Sequence, residues 1–430
     1  MRYLEQIVIN GGNRLSGELS VHGAKNSALP ILAATVLTSG VNVIHNCPKL
    51  TDIDAAIKII EYLGCSVKRE NDTVIVDSTN IIRSDIPDNL MREMRSSIVF
   101  LGSIAARMKV VDVSTPGGCE IGLRPIDLHL SAMKELGMTI TEEYGRLICN
   151  CENGLKGTKI ALSFPSVGAT ENIMLAACTA DGITTIINPA REPEISDLAD
   201  FLNRAGAKIY GAGESVIEID GVPKLRGAEH SVIPDRILAT TYMACAVATY
   251  GNLVVKNIIP AHLMPIIPVF QQMGCDINVS SGEISVTSPP RLKCARQVRT
   301  MPYPGFPTDA QAPLMALAAK ANGTTVFVEN IFESRYKHVS ELKRMGAKIT
   351  VNDRVAVVEG IDTLYGASVI SPDLRGGASL IIAGLEAMGE TKISRINHID
   401  RGYENIEIAL STVGADIKRV KINEEETKSQ

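Results

Sequence analysis

The chain has 430 residues, more than one hydrophobic core usually supports, so two domains of roughly 200 residues are expected. Hydrophobic residues make up 45% and charged ones 21%, and a net charge of −5 excludes bulk attraction for nucleic acid, so any basic site must be local and aimed at a small anion. The opening MRYLEQIVINGGNRL lacks the basic-then-apolar order of an export signal, and no apolar run approaches the roughly 20 residues that span a bilayer, which points to a cytoplasmic protein without membrane contact.

In chain order the residues repeat. The strings EYLGCSV, KELGMTI, NRAGAKI, QQMGCDI, KRMGAKI and STVGADI place glycines at Gly64, Gly137, Gly206, Gly274, Gly346 and Gly414, which divides the chain into six units of roughly 70 residues. Each unit opens with a helix of small apolar residues, such as KNSALPILAATVL in the first and LRGGASLIIAGLEA in the last. A β-branched strand follows, then an amphipathic helix such as DIDAAIKIIEYLG, and the glycine releases the chain into a strand pair. The unit is therefore of αβαββ type. The first helices are apolar all round and predict a buried inner layer, whereas the second have a polar face. Six units divide most simply into two α/β domains of three repeats, with the break near the turn-rich GVPKLRG before the fourth unit. The opening strands have no earlier unit to complete and are expected to pair with the last one, so the domains run 24–233 and, discontinuously, 1–23 with 234–430.

The repeats also show which residues are ordinary. Nine cysteines, an odd number without metal-site spacing, indicate reduced thiols. Cys149 and Cys151 form the one close pair, a weak metal signal, and neither metal nor cofactor is expected. Cys65 and Cys275 occupy the position where other units carry Met138, Ala207, Ala347 and Ala415, and Cys178 and Cys245 lie on buried-helix patterns, so all four read as core thiols. His129 starts a helix and reads as core or cap.

Cys119 has no counterpart. It lies in Thr115-Pro-Gly-Gly-Cys-Glu-Ile-Gly-Leu-Arg-Pro125, where three glycines and two prolines forbid a regular element, and this loop is longer than the matching loops of the other units. An insertion confined to one repeat is better explained by function than by folding. Charges recur at fixed places as well. Lys25, Arg95, Ser166-Val-Gly168, Asp235-Arg236, Asp309 and Arg375 stand at the starts of first helices, and Arg124, Arg335 and Arg401 stand before second helices. Cations beside the positive end of a helix are unfavourable unless an anion is held there, so several of them together point to anionic ligands.

The blocks HGAKN, PGGCEIGLRPIDLHL, SVGATENIMLAA, AREPEI, YPGFPTD, DLRGGASL and HIDRGYENIE together resemble the UDP-N-acetylglucosamine enolpyruvyl transferases, from about Ile9 to Ile417. The resemblance implies two inside-out α/β domains of three repeats each, with the active site in the cleft where they close. It implies transfer of the enolpyruvyl group of phosphoenolpyruvate to the 3-hydroxyl of UDP-N-acetylglucosamine, with release of phosphate by addition and elimination, at the entry to peptidoglycan synthesis. By match with the family, Cys119 is the proton donor, is able to carry a phosphothioketal adduct of phosphoenolpyruvate, and is the residue alkylated by fosfomycin. Asp309 is carried over as the acceptor of the hydroxyl proton. Lys25, Arg124 and Arg401 would serve phosphate, Arg335 and Arg375 the carboxylate, and Asn26 and Arg95 complete the phosphoenolpyruvate contacts. UDP-N-acetylglucosamine would meet Asn26, Arg95, Arg124, Pro125, Ile126, Asp127, Leu128, Ser166, Val167, Gly168, Asp309 and Ile331. The cations answer a charge requirement, since phosphoenolpyruvate and a pyrophosphate bring about five negative charges that cannot be buried unpaired.

Leu238-Ala-Thr-Thr241 departs from the family, where an acidic residue and a glycine are usual. Three other readings remain open: the related transferase acting on shikimate 3-phosphate, a catalytically silent nucleotide-sugar binder, and an RNA terminal phosphate cyclase. The loop with Cys119 argues against the first, retention of Cys119 and Asp309 against the second, and the acidic balance against the third.

Overall fold

Six four-stranded sheets and the helices they cover make up the protein, whose computed structural model describes residues 3–115 and 126–423. The chain divides into two compact units, one holding residues 23–115 and 126–233, the other residues 3–22 and 234–423. Each has its own hydrophobic core. Among the described residues no helix is long and apolar enough to cross a membrane.

Within the first unit, the helices Lys25–Leu37, Phe100–Met108 and Val167–Ala177 pack against one another, and sheets cover them. Their sequences explain this position. In Lys25–Leu37 every residue but Asn26 is buried, with Ile31 and Leu32 fully enclosed, each contributing about 1.5–3 kcal/mol. The outer helix Thr51–Tyr62 instead exposes Thr51, Asp54 and Lys58, one face at helical spacing, and buries Ile53, Ala56 and Ile60. The second unit repeats the plan with Arg236–Ala248, Thr308–Ala318 and Leu374–Glu386 inside.

The six repeat glycines all have positive φ, between 91° at Gly274 and 107° at Gly64. In every case the following amide reaches back five residues: Cys65 to the Ile60 carbonyl, Met138 to Met133, Ala207 to Leu202, Cys275 to Phe270, Ala347 to Leu342 and Ala415 to Leu410. This closure needs a left-handed residue at the glycine and an apolar one after it, packed on the last helical turn. Cys65 and Cys275 are such residues, 6% and 7% exposed.

Five of the six sheets contain a short strand that the sequence pattern does not reveal. In the first sheet Glu229–Ser231 pairs in parallel with Val41–His45, which pairs antiparallel with Thr73–Asp77, itself antiparallel to Ser66–Glu70. The short strand comes from the neighbouring repeat: Asp85–Ile86 leaves the first repeat for the second sheet, Lys159–Ala161 leaves the second for the third, and Glu229–Ser231 returns to the first. Two or three residues are too few to show alternation. In the second unit this ring is closed by the start of the chain. Tyr3–Asn10 pairs with Glu390–Ser394 and Asp416–Asn423 of the last repeat, as expected, but Ser16–Ser20 pairs in parallel with Asn252–Lys256 of the fourth repeat. The fourth sheet has no earlier repeat in its unit to supply a parallel edge, and the opening segment provides it.

Candidate active site

In the unit of residues 23–233, Lys25 is the first residue of its helix and is 8% exposed. Its Nζ lies 3.1 Å from Oδ2 of Asp52, which is 2% exposed at the start of the outer helix. A protein carboxylate therefore stands beside a cation that its helix dipole disfavours. Asn26 is partly exposed beside it. Ser166 caps Val167–Ala177, its side chain accepting from the Ala169 amide at 3.3 Å, and leaves Val167 and Gly168 partly exposed in the first turn.

Ile126 precedes the helix Asp127–Glu135, whose first turn carries Asp127 and Leu128. His129 of that helix ties the two segments together. Its Nδ1 accepts from Asn172 Nδ2 at 2.8 Å, and Asn172 also donates to the Ile98 carbonyl and accepts from the Gly102 amide. Burial holds the imidazole down at about 4, Asp127 partly opposing, so the ring is neutral and able to accept. A Cβ at Gly168 would stand 3.0 Å from Cε1 of His129, closer than ordinary packing permits. Gly168→Ala is expected to displace the ring, break the bond to Asn172 and cost about 1–3 kcal/mol, readable as a lowered denaturation midpoint. An unchanged midpoint would show that the contact yields freely.

The side chain of Arg95 and residues 116–125, with Cys119, Arg124 and Pro125, lie outside the described residues.

In the other unit, Asp309 sits in the first turn of Thr308–Ala318, and Arg375 in the first turn of Leu374–Glu386. Arg335 comes from the loop after strand Thr324–Val328. Arg335 Nη2 donates to Asp309 Oδ1 at 2.7 Å, and Arg375 Nη2 to Asp309 Oδ2 at 3.1 Å. The arginine side chains are 3% and 2% exposed. The Nε of each is buried without a hydrogen-bond partner among the described residues. Nε and Nη2 share an edge of the planar guanidinium, so each arginine offers a fork only half used. Buried N–H groups left unpaired are costly, and a carboxylate is the group that would complete both forks.

The surroundings hold these groups in place. The buried Glu329 carboxylate accepts from Thr300, Thr308 and Gln311 side chains and from the Ile331 and Phe332 amides, at 2.8 to 3.2 Å. It thus fixes Ile331, the start of the Asp309 helix and the loop leading to Arg335. Asp373 caps the Arg375 helix, accepting from the Arg375 and Gly376 amides. Arg401 is partly exposed in the turn after Ile396–His398. Its turn is anchored by Arg419, which donates to Asp400 at 2.7 Å, Glu407 at 2.8 Å and Glu5 at 3.2 Å.

The departing segment is accommodated in the core. Leu238 is 1% exposed, and Thr240 and Thr241 donate to the Arg236 and Ile237 carbonyls one turn back. Of the eight described cysteines, seven are buried and Cys294 is half-buried. Burial pushes Cys65 up to about 11 and Cys47, Cys149, Cys178 and Cys275 up to about 12, and raises Cys151 and Cys245 as well. Such thiols stay protonated and unreactive. The Cys151 thiol donates to the Ala105 and Lys109 carbonyls, which makes the Cys149–Cys151 pair part of the core.

Three residues of these arrangements escape a reading by charge at helix starts: Asp52, Thr241 and Glu329. Asp52 and Glu329 carry a signal in retrospect, as acidic residues at element ends close to cations. Thr241 carries no charge signal, being uncharged inside an apolar helix.

Comparison with known proteins matches this architecture. Residues 9–410 match the EPSP synthase (3-phosphoshikimate 1-carboxyvinyltransferase) family. UDP-N-acetylglucosamine 1-carboxyvinyltransferase 2 of Caldanaerobacter subterraneus subsp. tengcongensis is 52% identical over 412 residues, covering 96% of this chain and 99% of its own. UDP-N-acetylglucosamine 1-carboxyvinyltransferase 1 of Symbiobacterium thermophilum is 50% identical over 422 residues, covering 97% and 95%. The crystal structure of the enolpyruvyl transferase NikO from Streptomyces tendae superposes with a TM-score of 0.89 at 26% identity, over 98% of this chain and all of that one. An EPSP synthase from Acinetobacter baumannii shares the fold at a TM-score of 0.76 and 20% identity, over 97% of this chain and 100% of that one. Matched by the family over residues 9–410 and sharing half of its residues with two relatives over nearly the full length of each chain, the chain belongs to the enolpyruvyl transferase family, among the UDP-N-acetylglucosamine 1-carboxyvinyltransferases.

Proposed function

We propose that this protein transfers the enolpyruvyl group of phosphoenolpyruvate to the 3-hydroxyl of UDP-N-acetylglucosamine and releases phosphate, the first committed step of peptidoglycan synthesis. The observation that carries this reading is the pair Arg335 and Arg375, buried, half satisfied by Asp309 and each with an unpartnered Nε. Two forks of this kind fit the carboxylate of phosphoenolpyruvate. Lys25, Arg124 and Arg401 serve its phosphate, and Asn26 and Arg95 complete the phosphoenolpyruvate-binding set. Ile126, Asp127 and Leu128 with Ser166, Val167 and Gly168 take the nucleotide sugar, joined by Arg95, Arg124, Pro125, Asp309 and Ile331.

In the addition step the sugar hydroxyl oxygen bonds to C2 of phosphoenolpyruvate, its proton passes to Asp309, and Cys119 delivers a proton to C3. Elimination then removes a proton from C3 and expels phosphate, which restores the vinyl group. In the side path, Sγ of Cys119 bonds to C2 as C3 gains a proton, giving the phosphothioketal. Both substrates carry several charges and do not cross a bilayer, so the reaction belongs in the cytoplasm where they are made.

The test is phosphate release from phosphoenolpyruvate with UDP-N-acetylglucosamine or shikimate 3-phosphate as acceptor, in the native protein and in Cys119→Ser. Release with the nucleotide sugar alone, reduced roughly 10²-fold or more in the variant, is expected. Equal activity of the two proteins would remove Cys119 from the role of acid. Turnover of shikimate 3-phosphate would reassign the substrate, and silence with both acceptors would leave a binder without catalysis.

A further inference from the structure

Arg375 makes a second contact that the carboxylate reading does not use. Its Nη1 donates to the Tyr403 hydroxyl at 3.0 Å, and that hydroxyl lies 3.0 Å from Thr241 Oγ, across 162 positions of sequence. Thr241 Oγ also donates to the Ile237 carbonyl at 3.0 Å. These contacts fix the sense of every bond. The threonine proton is committed to the backbone, so Thr241 accepts from Tyr403, and Tyr403, having given its proton away, accepts from Arg375. The chain runs in one direction and ends on the backbone of the helix Arg236–Ala248.

Tyr403 is 1% exposed and Thr241 fully buried, and the guanidinium carbon lies 5.3 Å from the tyrosine ring centroid. Burial raises the phenol pKa, with Arg375 and Thr241 opposing, so the hydroxyl keeps its proton at neutral pH. Arg375 is thereby tied down at Nη1, and on the edge carrying Nε and Nη2 only Nε is without a partner among the described residues, Nη2 being held by Asp309.

We propose that Tyr403 and Thr241 are positioning residues that set the guanidinium plane of Arg375 for the substrate carboxylate. Neither touches the reacting atoms. The proposal rests on Arg375 being a carboxylate ligand, the reading given above. A flexible arginine would lose side-chain freedom on binding each substrate molecule, whereas one already fixed in its fork geometry does not.

The test is steady-state kinetics of Tyr403→Phe, Thr241→Val and the double variant, with each substrate varied in turn, and Thr241→Ser as the conservative control. Tyr403→Phe keeps the ring and its stacking but removes the acceptor. The KM for phosphoenolpyruvate is expected to rise roughly tenfold in each single variant. The double variant should be no worse than either, because one chain is broken once. The KM for the nucleotide sugar and kcat should stay within about twofold of native, and Thr241→Ser should behave as native. An unchanged KM for phosphoenolpyruvate would overturn the proposal, as would a parallel loss in both KM values, which indicates general loosening. If the native protein turns over neither acceptor, the functional reading fails and calorimetric binding of phosphoenolpyruvate decides this one. Binding roughly tenfold weaker in Tyr403→Phe supports it. Equal binding, or none by the native protein, overturns it.

Discussion

Asp309→Asn is expected to lower kcat by roughly 10²–10⁴-fold without weakening phosphoenolpyruvate binding. The two effects separate because Asp309 has two roles. As the proposed base it must take the proton of the sugar hydroxyl, which an amide does not do. It also bonds to Nη2 of both Arg335 and Arg375, at 2.7 and 3.1 Å, on the edges that a substrate carboxylate needs. Phosphoenolpyruvate must therefore share or displace those bonds, and the displaced carboxylate gains freedom to act as base. Asparagine competes less well for the arginines, so the KM for phosphoenolpyruvate should stay level or fall. Removing the charge also leaves two buried guanidinium groups without their counter-charge. The empty variant should lose about 3–5 kcal/mol of stability, and phosphoenolpyruvate should raise its melting temperature more than that of the native protein. Kinetics and thermal shifts with and without ligand measure all three. A tenfold rise in the KM for phosphoenolpyruvate would sink the account, because it would make Asp309 a support for the arginine fork and not its competitor.

Acid should weaken both units through histidines that fold neutral. Burial lowers His129 and His338 to about 4 from an ordinary value near 6.5. For His338, Asp373 pulls upward and Arg335 downward, but burial is the larger cause. The sign follows from linkage. Above pH 6.5 both states are neutral and no penalty exists; below it the unfolded chain binds a proton that the folded chain refuses. Stability is thus lost progressively between about pH 6.5 and about pH 4, by about 2–3 kcal/mol per histidine at pH 4.5. Two buried carboxyls act oppositely. Burial raises Glu171, with Glu194 and Glu192 adding to it, and raises Glu386 against the pull of Lys320, so these favour the folded state at low pH. The histidine contribution is therefore read as a difference. His338→Leu should gain about 2–3 kcal/mol relative to native between pH 7 and pH 4.5, measured by denaturant midpoints. A constant difference across that range would mean that the folded protein accommodates the protonated ring.

Features that depend on neighbours in the chain were legible from the order of residues. Glycine followed by an apolar residue specifies the end of the second helix in all six repeats, because the closing hydrogen bond spans only five residues. The all-apolar first helices and one-faced second helices likewise dictate which layer is inside, since burial follows composition at helical spacing. Lys25, Arg335 and Arg375 stood out because a cation at or before a helix start is locally unfavourable and needs a reason, whereas Asp309, an anion that the dipole favours, was singled out by the resemblance of its block to the family.

Tertiary structure alone decided how those charges are balanced. Lys25 meets Asp52 from the next helix, and Asp309 is shared by arginines 26 and 66 positions away. Tyr403 reaches Thr241 across three repeats. The short parallel strands, and the entry of Ser16–Ser20 into the fourth sheet, were hidden for the same reason. Each is a pairing between repeats, and its free energy comes from groups that the sequence keeps far apart. Periodicity records what one element buries; it carries no term for which distant element completes a sheet edge or a guanidinium.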